Sequence, residues 1–347
     1  MRHLLRSVIL APILTGLAPA GAGAAAYSFA RTDEAPGATF TMPLGLNDKG
    51  QIAGYYDDAA GIHGYVETTG AFSIIDVPGS SGVYTTGPGV ETIATGINNA
   101  GQVAGQYVTS DLGFTQVHSY LYAGGAFTII DVPGSVSTEA YGLNDKGQVT
   151  GFYVAASKFR GFIYANGAFT TFAAPGDGVI LPYAINNAGE VAGSYHDPVY
   201  GSHGFLRDPS GAFATVDVPG SGHTVRYDDG SSFTVPATQV RSLNDRGQII
   251  GDYGDETSAY SFLDTAGVFT NLPLPSPTDY DGPWAKIYGI NNAGQILGQY
   301  WETSRSTYGI LGTPEAAAAV PEPGSLALLG AGLLGLAAVR AGRRFAA

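Results

Sequence analysis

Three histidines and three aspartates recur in this chain at fixed spacing. His63, His118 and His203 share one repeat position, and Asp76, Asp131 and Asp217 share another within an Ile/Val-Asp-Val-Pro-Gly stretch. Histidine is a common general base and metal ligand, and paired carboxylates serve glycoside hydrolysis. Recurrence argues against both roles here. Arg160, Tyr260 and Tyr308 take the histidine position in other copies, which suits packing or hydrogen bonding between neighbouring units. Equivalent residues of different repeats can share one ion only by lining a common axis. The Asn-Asp-x-Gly loops suggest Ca²⁺, but each offers two side-chain oxygens against the six or more of a full loop site. Three copies carry a second Asn instead of the Asp. His-Glu-x-x-His and Gly-x-Ser-x-Gly are both missing from the sequence, so zincin and hydrolase-elbow chemistry lack support. No catalytic residue, metal or cofactor is expected.

The elements that would position these residues come from a motif present six times: aliphatic, Asn, Asn or Asp, any residue, Gly, Gln or Glu, Ile or Val, any residue, Gly. Its asparagines are Asn47, Asn98, Asn144, Asn186, Asn244 and Asn291, a mean spacing of (291 − 47)/5, about 49 residues. Asn at the first position and Gly at the fourth suit a type I turn. A strand follows, as in Gln51-Ile52-Ala53-Gly54-Tyr55. A second strand carries the histidine position, as in His63-Gly64-Tyr65-Val66. A third is led by Phe72, Phe127, Phe169, Phe213 or Phe269, and a fourth leads back to the next Asn. Four short β-runs between Gly and Pro punctuation, at this period, are the signature of a propeller blade. The expected fold is all-β: a six-bladed β-propeller.

The sixth copy lacks its third strand. Tyr27-Ser28-Phe29 runs to Ala35-Pro36-Gly37, and Gly37 lies ten residues before Asn47, as Gly134 does before Asn144. Phe29 stands one residue out of register, which a bulge can absorb. The N-terminal segment is therefore expected to complete the last blade and close the ring, leaving no open strand edge.

Length varies mainly between each Pro-Gly and the next Asn. In a propeller that connection lies on one face in every blade, and insertions confined to one face mark a binding surface. The candidate binding residues there are Tyr84, His223, Arg226, Tyr227, Asp228, Asp229, Tyr280, Asp281 and Trp284, with Glu91 and Lys286 nearby. Aromatics flanked by polar groups suit carbohydrate stacking. Residues 224–235 also read as an extra hairpin turning at Asp229-Gly230.

Both termini read as addresses. Residues 1–26 have the basic start (Arg2, His3, Arg6), short apolar run and Ala-x-Ala sites of a secretory signal. At the other end Pro321, Glu322 and Pro323 precede an apolar run from Ser325 to Val339 and a basic tail of Arg340, Arg343 and Arg344. Short apolar helices are expected at both ends. The C-terminal arrangement resembles the PEP-CTERM sorting signal. That resemblance implies recognition and removal by an exosortase, a Gram-negative source, passage through the inner membrane, and delivery outward beside exopolysaccharide. The expected divisions are 1–26 signal, 27–312 propeller, 313–320 linker and 321–347 sorting signal.

The repeats themselves resemble HAF repeats of extracellular bacterial proteins, which pair an Ile-Asn-x-x-Gly-x-Val-x-Gly element with a His-Ala-Phe element. Here the second element is His63-Gly64-Tyr65, His118-Ser119-Tyr120 and His203-Gly204-Phe205; the middle residue departs from the family's Ala. The family implies fold and location and no chemistry. Composition agrees: 51 Gly, 20 Pro, 21 Tyr and 16 Phe in 347 residues, with 13% charged. A net charge of −13 disfavours nucleic acid and anionic membrane. With no Cys, disulfides and thiolate metal sites are excluded. Together these features point to an exported, non-enzymatic binding or structural module, with exopolysaccharide as the favoured ligand and surface proteins as other partners. A carbohydrate-active hydrolase or lyase is the rival, because fold alone does not decide between them.

Overall fold

The computed structural model describes residues 26–81, 90–111, 114–197, 201–226, 232–235, 237–255, 258–275, 285–303 and 306–315. The sorting tail and the N-terminal address lie outside them, as do the helices expected there. The described part is a β-propeller.

Each repeat folds into a four-stranded antiparallel sheet. The first runs Phe40–Leu46, Ile52–Asp58, Gly61–Thr68 and Ala71–Ile75. The second, third, fourth and fifth begin with Val90–Ile97, Ser137–Leu143, Val179–Ile185 and Thr238–Leu243 and repeat the same order. The sixth contains Ala285–Ile290, Ile296–Thr303 and Ser306–Pro314, and its fourth strand is the N-terminal Tyr27–Arg31, paired antiparallel with Ser306–Pro314 from Tyr27 opposite Pro314 to Arg31 opposite Ile310. The extra residue noted around Phe29 falls after this strand, because Phe29 opposes Gly312 as Phe72 opposes Glu67. A two-residue parallel bridge links the first two sheets at Gly61–Ile62. His223–Arg226 and Ser232–Val235 form the separate hairpin expected between the fourth and fifth sheets.

There is no single core. Apolar side chains bury themselves between consecutive sheets: Ala53, Val77, Ala94 and Tyr120 between the first two, Val216, Val240 and Phe262 between the fourth and fifth, and Ile52, Tyr65 and Leu297 between the sixth and the first. The aromatic of the third strand is the anchor in five sheets (Tyr65, Tyr120, Phe162, Phe205, Phe262), with Ile310 in the sixth. Each anchor removes a large apolar area from water.

The motif's residue types follow from the crowded axis. Each motif Asn is 3–4% exposed and uses its whole carboxamide. In Asn144, Oδ1 accepts the backbone N–H groups of Lys146 and Gln148, while Nδ2 donates to Gln148 Oε1 and to the carbonyl of Asn186 in the next repeat. The same inter-repeat bond runs from Asn47 to Asn98, from Asn98 to Asn144, from Asn244 to Asn291 and from Asn291 back to Asn47. Asp cannot donate these bonds. The first motif Gly takes φ of 72–85° in the turn, a region that favours glycine. The last is needed for close approach: a Cβ on Gly54, Gly105, Gly151, Gly193, Gly251 or Gly298 would strike a carbonyl oxygen of the innermost strand.

The second motif position forms a further ring. Asp48, Asn99, Asp145, Asn187, Asp245 and Asn292 alternate carboxylate and carboxamide. Each backbone N–H donates to the next side chain's Oδ1 at 2.7–2.9 Å, the last returning from Asn292 to Asp48. Each Asn side chain donates to both flanking carboxylates at 2.8–3.0 Å. For Asp145, partial withdrawal from water pushes the carboxyl pKa up, but amide donors on Asn187 and Asn99 outweigh it and hold the value below the ordinary one of 3.8.

Two outcomes are expected. Asn144→Ala leaves buried partners unpaired and should lower the free energy of unfolding in urea by about 2–3 kcal/mol, with Asn144→Gln giving no rescue. A depressed carboxyl stabilises the fold above its unfolded-state pKa and loses that contribution as pH falls through the folded-state value. The gap between wild type and Asp145→Asn in thermal midpoint should therefore be widest near pH 7 and narrow below about pH 4; a gap independent of pH would contradict the ring's electrostatic role.

Candidate functional site

Every innermost strand carries a β-bulge three residues before the motif Asn, and the bulged residues are Leu44, Thr95, Tyr141, Tyr183, Arg241 and Tyr288. A bulge re-aims a side chain. Here the bulged residues gather polar groups of different repeats around the axis. The Tyr141 and Tyr183 rings meet edge to face at 5.3 Å, Tyr141 donates to Glu139 Oε2 at 3.1 Å, and the Arg241 guanidinium sits 5.5 Å from the centre of the Tyr183 ring. Arg241 in turn donates through Nε to Asp252 Oδ2 at 3.1 Å and through Nη2 to Gln239 Oε1 at 2.6 Å. Ser261 donates to Asp252 Oδ1 at 2.7 Å. Burial raises the pKa of Asp252, and the opposing pull of Arg241 and Ser261 does not offset it. Burial likewise raises Glu139, against the hydrogen bond from Tyr141.

Arg241 and Asp252 also form one wall of a cavity of about 450 Å³ between the fifth and sixth sheets, within the size range of small-molecule sites. Tyr253 and Tyr260, stacked at 5.2 Å and 27°, line the same cavity. Lys286 reaches it from the sixth sheet and is exposed. A second, smaller space of about 120 Å³ lies on the axis beneath the Asp/Asn ring.

The joint that holds the larger cavity departs from the repeat. In four joints a threonine hydroxyl of the innermost strand accepts a backbone N–H from the preceding repeat: Thr41 from Ala35, Thr92 from Val77, Thr138 from Val132 and Thr238 from Val218. Ile180 stands in that place at the third joint and Ala285 at the fifth, where the Leu274 N–H turns to the Leu272 carbonyl instead. Tyr260 and Pro273 replace the His and Asp found there in the first, second and fourth sheets.

Those His and Asp residues, which the sequence presents as two separate recurrences, are partners. Nδ1 of His63, His118 and His203 lies 2.8, 2.6 and 2.7 Å from Oδ2 of Asp76, Asp131 and Asp217. Each imidazole stacks on Tyr56, Tyr107 or Tyr195 at 5.0–5.1 Å. His118 Nε2 also meets Thr109 Oγ1 at 2.9 Å. In the third sheet Arg160 pairs with Asp177 instead. Among the described residues no group of three or more His, Asp or Glu has metal-binding geometry.

Of the sequence-predicted loop residues, His223 and Arg226 lie in the hairpin strand. Tyr84, Tyr227, Asp228, Asp229, Tyr280, Asp281 and Trp284 lie outside the described residues. Pro275 and Ala285, which bracket the insert carrying Tyr280, Asp281 and Trp284, both line the larger cavity, and so does Ala237, which follows the hairpin. Glu91 is buried at 4% exposure. Sequence reasoning missed Arg241, Asp252, Tyr253 and Tyr260. The available signal was their departure from the repeat: Asp252 aligns with Tyr55, Gln106, Phe152, Ser194 and Gln299.

Residues 319–344 match the PEP-CTERM protein-sorting motif. That match spans Pro321, Glu322, Pro323, Arg340, Arg343 and Arg344, marks the chain as exported, and implies processing by an exosortase. Comparison with curated protein sequences finds no match. Among solved structures the chain is similar to a streptogramin B lyase (10% identity, covering 82% of this chain and 97% of that one, TM-score 0.40). It is also similar to SapL1 lectin in complex with alpha methyl fucoside (11%, 81% and 97%, 0.45), and to the Aleuria aurantia fungal lectin described as a six-bladed β-propeller (12%, 70% and 81%, 0.40). Likeness at this level carries neither ligand nor activity across.

Restoring the missing hydroxyl tests why the cavity is open. Ala285→Thr should draw the Leu274 N–H onto the new side chain, raise stability by up to about 1 kcal/mol and reduce access to the cavity, read as loss of quenching of Tyr253 and Tyr260 fluorescence by a small solute.

Proposed function

We propose that this chain is an exported binding module, a closed six-bladed β-propeller, whose site is the cavity between the fifth and sixth sheets. A saccharide of the extracellular matrix is its ligand. The observation that carries this reading is the pairing of the Tyr253–Tyr260 stack with a fixed set of polar groups on Gln239, Arg241, Asp252 and Ser261 in one cavity. Aromatic faces take the C–H surface of a sugar ring, and oriented donors and acceptors take its hydroxyls. Nothing in the repeat requires these groups. The inserts bearing His223, Arg226, Tyr227, Asp228 and Asp229, and Tyr280, Asp281 and Trp284, supply further contacts on this face, and Tyr84 belongs to the insert between the first two sheets.

In the same reading residues 1–26 are a cleaved secretory signal, 27–312 the propeller, 313–320 a linker and 321–347 the sorting signal. The final strand reaches two residues further, to Pro314. The repeats belong with the HAF type. The protein is released to the surface of a Gram-negative cell, where exopolysaccharide is the abundant saccharide and surface proteins are other partners.

A hydrolase or lyase is favoured by one observation, the two carboxyl groups of Asp252 and Glu139 with raised pKa values. Asp252 is held by Arg241 and Ser261 and Glu139 by Tyr141, which suits binding better than proton transfer. On a glycan array, Tyr260→Ala should weaken saccharide binding about tenfold, the loss of roughly 1.4 kcal/mol, while leaving the fold intact. Release of reducing ends that disappears in both Asp252→Asn and Glu139→Gln would establish the enzymatic reading instead.

A further inference from the structure

The cavity's charge distinguishes it from the rest of a chain with net charge −13. Arg241 and Lys286 both line it, and neither is required by the repeat. The residues aligned with Arg241 are Leu44, Thr95, Tyr141, Tyr183 and Tyr288; those aligned with Lys286 are Met42, Ile93, Glu139, Leu181 and Gln239. No other copy has a basic residue at either place, so the fold does not select these two. Asp252 is the one carboxylate among the described lining residues. It forms its ion pair with Arg241 through Nε, and Arg241 is held further by Gln239 and by Tyr183. Lys286 is exposed and makes no ion pair with Asp252. Two cations against one carboxylate leave this wall with one positive charge in excess.

We infer that the saccharide held here is acidic, a chain of uronic acid residues, with a sugar carboxylate placed against Lys286, beside the Arg241–Asp252 pair. This rests on the saccharide-binding reading above and narrows it to one class. The Lys286 ammonium meets a carboxylate as a mobile point charge, and the fixed guanidinium adds to the positive potential of the wall. The stacked Tyr253 and Tyr260 take the sugar face. Attraction in this cleft is local, because the surrounding acidic surface repels a polyanion elsewhere. Binding should therefore be confined to the cavity and fall with added salt.

The experiment titrates the purified full-length chain with a tetramer of galacturonate and, separately, with the same tetramer after reduction of its carboxyl groups to alcohols. The acidic tetramer should bind at least tenfold more tightly at low salt. Lys286→Gln should remove most of that preference and Lys286→Glu should reverse it, while the thermal midpoint stays unchanged, since Lys286 is exposed. Equal affinity for both tetramers, unaltered by either substitution, would overturn the acidic class and leave the saccharide reading standing. No binding of either tetramer, with the fold intact, would overturn both. A preference for the acidic tetramer that survives Lys286→Gln and Lys286→Glu would place the charge recognition elsewhere and reject this assignment.

Discussion

Six chain reversals crowd around one axis, where polar backbone is dense. The buried carboxamide of the motif Asn answers that constraint. It closes its own turn through Oδ1, holds the following Gln or Glu through Nδ2, and reaches the next repeat's carbonyl with its second proton. Any other side chain leaves part of this set unmade inside the protein, where an unpaired group is costly. The Asp/Asn ring adds a condition on number. Donor and acceptor side chains can alternate around a circle only if the count is even, and the three carboxylates Asp48, Asp145 and Asp245 are separated by three carboxamides all the way round. The basic residues follow the same alternation: Lys49, Lys146 and Arg246 succeed the aspartates, and alanines succeed the asparagines. Charge at this mouth of the axis is thus locally balanced.

Much of this was legible in the sequence, because a motif repeated six times exposes the demands of its position. Turn, strand order and the strand missing from the sixth copy could all be read from spacing, and the N-terminal strand is found against Ser306–Pro314. Less was legible wherever meaning lay in relations between repeats. The His and Asp positions look like two recurrences, yet they occur together in the first, second and fourth sheets and are absent together from the fifth, the mark of a contact. The alternation at the second motif position looks like tolerance of either residue, yet it is a pairing rule. The bulge has no residue signature of its own, since Leu, Thr, Tyr and Arg all occupy it; only the glycine opposite, needed to admit the displaced carbonyl, betrays it. Of the predicted binding face, the hairpin strands are described, while most of the side chains first singled out lie in segments outside the described residues.

Repetition separates two kinds of residue. Those that recur hold sheets to sheets: the axial Asn, the anchoring aromatic, the threonine staple, the His–Asp pair. Those that break the pattern lie at the third joint, with Arg160 and Ile180, and in larger number at the fifth. Ala285 removes a staple, Pro273 and Tyr260 replace an ion-pairing couple, and Arg241 with Asp252 adds charge where other copies have neutral groups. One substitution of this kind is drift. Five at a single joint, opening a cavity beside two of the longest inserts, are hard to reconcile with a surface that serves only stability. A buried ion pair is seldom the most stabilising choice for its volume, and the Arg241–Asp252 pair makes sense as a fixed polar surface for something that enters.

The two ends of the folded part meet, and this bears on delivery. The Glu315 N–H donates to the carbonyl of Ala26, so the last strand finishes beside the point where the first begins. Residues 315 to 321 can span at most about 20 Å when extended, at 3.3–3.6 Å per residue. A chain held by its sorting tail therefore keeps its sixth sheet within that distance of the point of attachment. The cavity lies at the neighbouring joint.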